Sequence, residues 1–176
     1  YKQILKFEEV DISTWKTSKK PKTLPVVFSK QEANQVLAHL TDSSLLAALL
    51  MYGAGLRLQE TLRLRVKDID FGRGEITVRQ GKGNKDRLTM LPNKAIPLLQ
   101  SHIEECQRLH EKALAKNICF VHLPNALAKK YPNAGKELAW QYLFSSETLT
   151  KDPRSGNIGR HHLNPRTIQR GVKEAI

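Results

Sequence analysis

Two cations in this chain offer a phosphate one fixed partner and one mobile partner. Arg57, in Gly55-Leu56-Arg57, falls between an apolar stretch stopped by glycines and a following short helix. A guanidinium on such a corner can hold a phosphate by two parallel hydrogen bonds, because its planar fork matches two oxygens at once. The same spacing also suits a plain surface arginine paired with Glu60. Lys82, in Gly81-Lys82-Gly83, stands in a turn-rich loop with Lys85 and Arg87 close behind. An ammonium on a flexible stem can reach a phosphodiester and protonate a departing oxygen. An ordinary glycine-rich surface turn is the alternative there.

The elements that would position these cations follow from hydrophobic spacing. Ser29 and Glu32 form a capping box, after which Ala33, Val36, Leu37 and Leu40 recur at helical spacing. A second helix is predicted over 42–52, with Asp42 as its N-cap and Gly53 and Gly55 as its stop; it is apolar on several sides and therefore central. A short helix is expected over 58–64. The period then changes: 75–79 and 87–91 alternate polar and apolar around the loop 81–86, predicting a β-hairpin with a basic tip. A long helix is expected over 93–116, with Ile96, Leu99, Ile103, Cys106 and Leu109 on one side. Beyond it the pattern predicts a short helix at 126–130, a loop at 132–135, a buried strand over 140–144 and a loop over 152–160. Asn164 as N-cap and Pro165 at the first position open a last helix, over 164–175. The fold class is mainly α with a small antiparallel β-sheet, an α+β domain.

Composition agrees with a polyanionic partner. Lys and Arg number 29 against 17 Asp and Glu, a formal charge of +12. Phosphate contacts release counterions, so an excess of this size suits nucleic acid. Solubility, ribosomal contact or an anionic membrane surface are the other uses of such a charge. The apolar and charged fractions, 40% and 26%, describe a globular chain. No apolar run approaches the roughly 18 residues that cross a bilayer, so no membrane partner is expected. Cys106 and Cys119 fit neither a disulfide framework nor a zinc spacing, which suggests a reducing, cytoplasmic setting. Residues 1–24, with Lys16, Lys19, Lys20, Lys22 and Pro21, read as the last turns of a helix and a basic linker, and the absence of an initiator methionine suggests a chain that begins inside a longer protein.

Taken together, the Gly55-Leu56-Arg57-x-x-Glu60 corner, Val66-Lys67-Asp68-Ile69-Asp70 and Gly81-Lys82-Gly83-Asn84-Lys85-x-Arg87 closely resemble the tyrosine recombinases. The resemblance implies that Arg57 binds the scissile phosphate and stabilises charge on its oxygens, and that Lys82 protonates the departing 5′ oxygen. It makes Glu60 a structural support of the arginine, and Lys85 and Arg87 contacts to the DNA backbone. It implies a tyrosine nucleophile, a 3′-phosphotyrosyl intermediate and no cofactor, neither ATP nor metal. The alternatives are a tyrosine recombinase of the Xer or phage-integrase type with an unrelated insert, and a basic DNA-binding module in which Arg57 does no chemistry.

A narrower resemblance lies in 126–134, Trp140-x-Tyr142-Leu143-Phe144 and Arg160-His161-His162-Leu163-Asn164, which look like the insert of integron integrases. Those enzymes join gene cassettes on folded single strands that display protruding bases, and they also act on double-stranded sites. The resemblance makes Trp140, His161 and His162 DNA-binding residues, with rings that stack on splayed bases and donors that read their edges; Pro132 can add an apolar face. From the residues alone, Trp140 suits a core better than a base platform, and the histidines read as surface residues. Adjacent histidines on a strand point apart and chelate poorly, so no metal site is expected. The family's His-x-x-Arg and later tyrosine are not found in this sequence, and Tyr1, Tyr52, Tyr131 and Tyr142 follow no such motif. The expected division is 1–24 as the end of a core-binding domain and its linker, and 25–176 as the first part of a catalytic domain, with the insert at about 122–165. A homo-tetramer on DNA is the expected assembly.

Overall fold

The computed structural model describes residues 27–81, 83, 85–116, 118, 120–123, 127–153 and 156–176. The helix-and-linker reading of 1–24, Lys82 and Cys119 lie outside the described residues.

The first helix, α1, spans Lys30–His39 and begins with the expected capping box: Ser29 Oγ accepts from Glu32 N while the Glu32 carboxylate accepts from Ser29 N. Helix α2, Asp42–Ala54, is the central one, burying Leu46, Ala47 and Leu50. Its N-cap is Thr41, with Asp42 as the first helical residue, one position from expectation. Its end differs too. Gly53 stays inside the helix, where a Cβ would come within 2.6 Å of Pro92 Cγ, and Gly55 alone makes the left-handed stop, at φ 65°. The short helix α3, Leu58–Leu62, follows immediately.

The expected hairpin is present as β2, Glu75–Val78, and β3, Arg87–Met90, joined on β2's far side by a short strand β1, Ile69–Asp70, that the alternation did not reveal. The pairing aligns Val78 with Arg87 and Ile76 with Thr89. Directly opposed residues share a face, so Arg87 and Thr89 lie on the side of the buried Ile76 and Val78, while Leu88 and Met90 are exposed. The polar side chains of β3 thus turn inward because partners wait there: Thr89 Oγ1 donates to the Ala54 carbonyl at the end of α2, and Arg87 donates to Glu60.

Residues 93–95 form a 3-10 turn, and helix α4, Ile96–Leu114, then lays Leu99 into the core. His102 Nε2 and Cys106 Sγ both contact the Leu143 carbonyl, at 2.8 and 3.5 Å. Helix α5 is brief, Leu127–Lys130. Two expectations fail beyond it. Residues 140–144 are not a strand: 138–140 form a 3-10 turn, and a lone antiparallel bridge joins Tyr142 to Arg65 before Leu143 and Phe144 sink into the core. Nor is 152–160 wholly a loop, for Ile158–His162 is strand β5, paired with β4, Ser145–Lys151. The last helix, α6, Pro165–Glu174, is capped as expected by Asn164, whose Oδ1 accepts from Arg166 N at 3.0 Å. It packs on α2, with Gly171 so close that a Cβ would meet Ser44 Oγ at 2.7 Å.

Candidate functional site

Arg57 is the N-cap residue of α3, in extended backbone at φ −76° and ψ 152°. Its carbonyl starts the helix by accepting from Thr61 N, and its own N–H donates to Glu60 Oε2 at 2.9 Å. Its guanidinium Nη1 donates to Glu60 Oε1 at 2.9 Å, so the pairing with Glu60 and a presented arginine are both real. The Arg57 side chain is 60% exposed and that of Glu60 only 8%. Arg87 completes the cluster from β3, with Nη1 and Nη2 on the two Glu60 oxygens at 3.0 and 2.8 Å. The Arg87 fork, helped by the Arg57 hydrogen bonds and opposed by burial, holds the Glu60 carboxyl down at about 2. Glu60 thereby orients Arg57 from below and leaves the outer face of the guanidinium to solvent. Arg87 spends its fork on Glu60, within the protein.

The hairpin tip comes to the same place. A Cβ on Gly81 would lie 3.0 Å from Arg87 Nη1 and 3.4 Å from Glu60 Oε1, so the residue before Lys82 packs against the clamp on Arg57. Gly81 N donates to the Lys85 carbonyl at 3.0 Å, closing the loop, and Gly83 takes φ 78°. The Lys85 side chain is exposed.

The ring-bearing residues gather around Arg65, which sequence reasoning passed over. Arg65 is 7% exposed, and burial depresses its proton affinity. Its Nη1 donates to the Trp140 carbonyl at 2.6 Å and its Nη2 to the His122 carbonyl at 2.9 Å. The guanidinium lies 4.7 Å from the centre of the Tyr142 ring, and Lys67 Nζ lies 3.0 Å from the centre of the Trp140 ring. Tyr142 in turn carries His161 and His162, at ring separations of 5.3 and 5.5 Å. The two histidines do not point apart: their ring centres are 4.1 Å from each other, and both rings lie against Tyr142. Burial, then the neighbouring His162, lowers the His161 pKa. His122 Nδ1 lies 3.5 Å from Asp152 Oδ2. Among the described residues no group of three His, Cys, Asp or Glu side chains is placed to hold a metal ion.

One open groove of about 680 Å³ reaches from Glu60 to the ring-bearing residues. Glu60, Gln80 and Asp86 form its hairpin end, Trp140, His161 and His162 its far wall, and Arg63, Arg65, Lys67 and Arg79 make it basic. Such a channel fits a phosphate chain along the floor and rings at the side. The signal for the missed residues was the run Arg63–Asp68, three cations beside one buried carboxylate, Asp68, which accepts from Arg65 N and Arg79 Nε.

The phage integrase family matches residues 26–174. An integrase/recombinase of Escherichia coli is 43% identical over 87% of this chain, which spans 45% of that protein. Tyrosine recombinase XerA of Pyrococcus furiosus is 33% identical over 58% of the chain, which spans 37% of that protein. A crystal structure of XerA recombinase shares the fold at a TM-score of 0.54 and 22% identity, over 89% of this chain and 43% of that one. The chain therefore spans less than half the length of the relatives it matches. With its clamped arginine corner, its basic hairpin and a match that runs through nearly every described element, the chain belongs to the phage integrase family of tyrosine recombinases.

Proposed function

We propose that the chain is the linker and first part of the catalytic domain of an integron-type integrase, which cuts and rejoins DNA at gene-cassette sites in the bacterial cytoplasm. Residues 1–24 end the core-binding domain, 25–176 begin the catalytic domain, and about 122–165 form the insert. The observation that carries this reading is the groove lined at once by Glu60, the carboxylate that holds Arg57 and Arg87, and by Trp140, His161 and His162.

Arg57 takes the scissile phosphate on its exposed guanidinium, already oriented by Glu60, so little reorganisation accompanies the build-up of charge. The tyrosine of the complete protein attacks phosphorus, the bond to the 5′ oxygen breaks, and Lys82 supplies the proton to that oxygen. The phosphotyrosyl link conserves the bond, so rejoining is the reverse step. Lys85 steadies the DNA backbone and Arg87 supports Glu60. A homo-tetramer works on paired sites, folded single strands or duplexes. Because none of the tyrosines here follows a His-x-x-Arg motif, this chain alone forms no covalent adduct with a suicide substrate; a trapped adduct would falsify that assignment.

The deciding experiment is binding by the full-length protein to cassette hairpins with and without protruding bases. Stacking is worth about 1–3 kcal/mol per base, so deletion of the bases should weaken binding by roughly tenfold or more. A Xer-type or phage recombinase with an unrelated insert is the second reading, favoured by the 33% identity to XerA. Equal affinity for both hairpins would establish it.

A further inference from the structure

We infer that Arg65 is a positioning residue: its guanidinium sets the base-reading rings at a fixed distance from the phosphate site. The inference rests on the base-reading role proposed above for Trp140, His161 and His162. Arg65 precedes the 3-10 turn 66–68, and its side chain reaches two segments far along the chain. One nitrogen holds the Trp140 carbonyl and the other holds the His122 carbonyl, at 2.6 and 2.9 Å. Its flat face covers the Tyr142 ring, on whose sides His161 and His162 rest. Its backbone N–H donates to Asp68, and the other Asp68 oxygen takes Arg79 from the end of β2, the strand that leads into the hairpin tip.

Every ring proposed to meet a base is thus referred to one buried cation, and that cation to the strand that carries the catalytic loop. Burying a guanidinium is costly, and an apolar side chain of similar size generally packs as well or better. What an apolar residue cannot do is hold two carbonyls of separate segments at one spacing. Lysine cannot do so either, since its ammonium is a point charge without the planar fork.

The test uses the full-length protein and two oligonucleotide hairpins, one with protruding bases and one with those bases deleted. Arg65→Lys, which keeps the charge of the groove, should cost the first hairpin roughly tenfold more affinity than the second, because small misplacements of a positioned group are expensive. Adding Trp140→Ala to Arg65→Lys should cause little further loss, since both remove the same contact. Without DNA, hydrogen exchange over 140–143 should quicken in Arg65→Lys. If that variant does not fold, Tyr142→Leu, which removes the ring between Arg65 and the histidines, should show the same loss of preference. An unchanged preference with unchanged exchange, or an equal loss on both hairpins, overturns the inference. A wild-type protein with no preference overturns the base-reading role instead, and the exchange measurement still judges Arg65.

Discussion

Glu60 governs how Arg57 meets a phosphate, because one buried carboxylate accepts from Arg57 N, Arg57 Nη1 and both ends of the Arg87 fork. Its carboxyl sits at about 2 against an ordinary 4.5. A depressed carboxyl contributes stability that is complete above the unfolded value and fades as pH falls toward the folded one. Stability should therefore hold down to about pH 4.5 and decline from there toward about pH 2; urea unfolding at a series of pH values reads this. In Glu60→Gln that part of the acid slope should vanish, with stability at neutral pH lower by about 1.5–3 kcal/mol for the charged hydrogen bonds lost. Arg57→Lys in the full-length protein should abolish most recombination while changing duplex affinity little, because the two-pronged grip is lost and the charge is kept. Strand-transfer assays beside binding titrations separate the two effects.

At the scale of elements, the β4–β5 hairpin is held by a close backbone approach. Gly159 bridges Phe120 in parallel fashion, and a Cβ there would collide with the Phe120 carbonyl. Gly159→Ala should lower stability by about 1–3 kcal/mol, as overpacking does, seen as a reduced melting temperature. The same region shows where the sequence was legible. The capping box at Ser29, the stop at Gly55, the hairpin and the Asn164–Pro165 helix start were readable because each is local: a cap, a left-handed glycine, a period of two. Strand β4, Ser145–Lys151, was hidden because it is polar and mostly exposed, leaving no alternation to read. Trp140–Phe144 misled for the opposite reason: an apolar run announces burial, and here the burial is by a turn and a single bridge, with no strand ladder. In the site, Arg57 and Glu60 lie three residues apart and were visible together. Arg65 was not, since its partners at Trp140 and His122 meet it only in the folded chain.

For the whole molecule, the formal charge of +12 and the basic groove set the binding law. Affinity for plain duplex DNA should fall with a log–log salt slope of about −0.9 per phosphate neutralised. Lys67→Gln, on the groove wall, should flatten that slope by about one unit if Lys67 leaves Trp140 for a phosphate; fluorescence titration at several salt concentrations measures it. No helix among the described residues is long and apolar enough to cross a membrane. The β4–β5 hairpin has its own relation to the whole. Leu163 N donates to the Phe144 carbonyl at 2.8 Å, so the chain departs for the hairpin and comes back at a single point. Phe144 is anchored in the core, and Leu163 packs against that core. The hairpin therefore leaves and rejoins the core at one place: replacing residues 145–162 with a tight turn should cost the contacts of Gly159 with Phe120 and of the two histidines with Tyr142, while the core beneath stays closed.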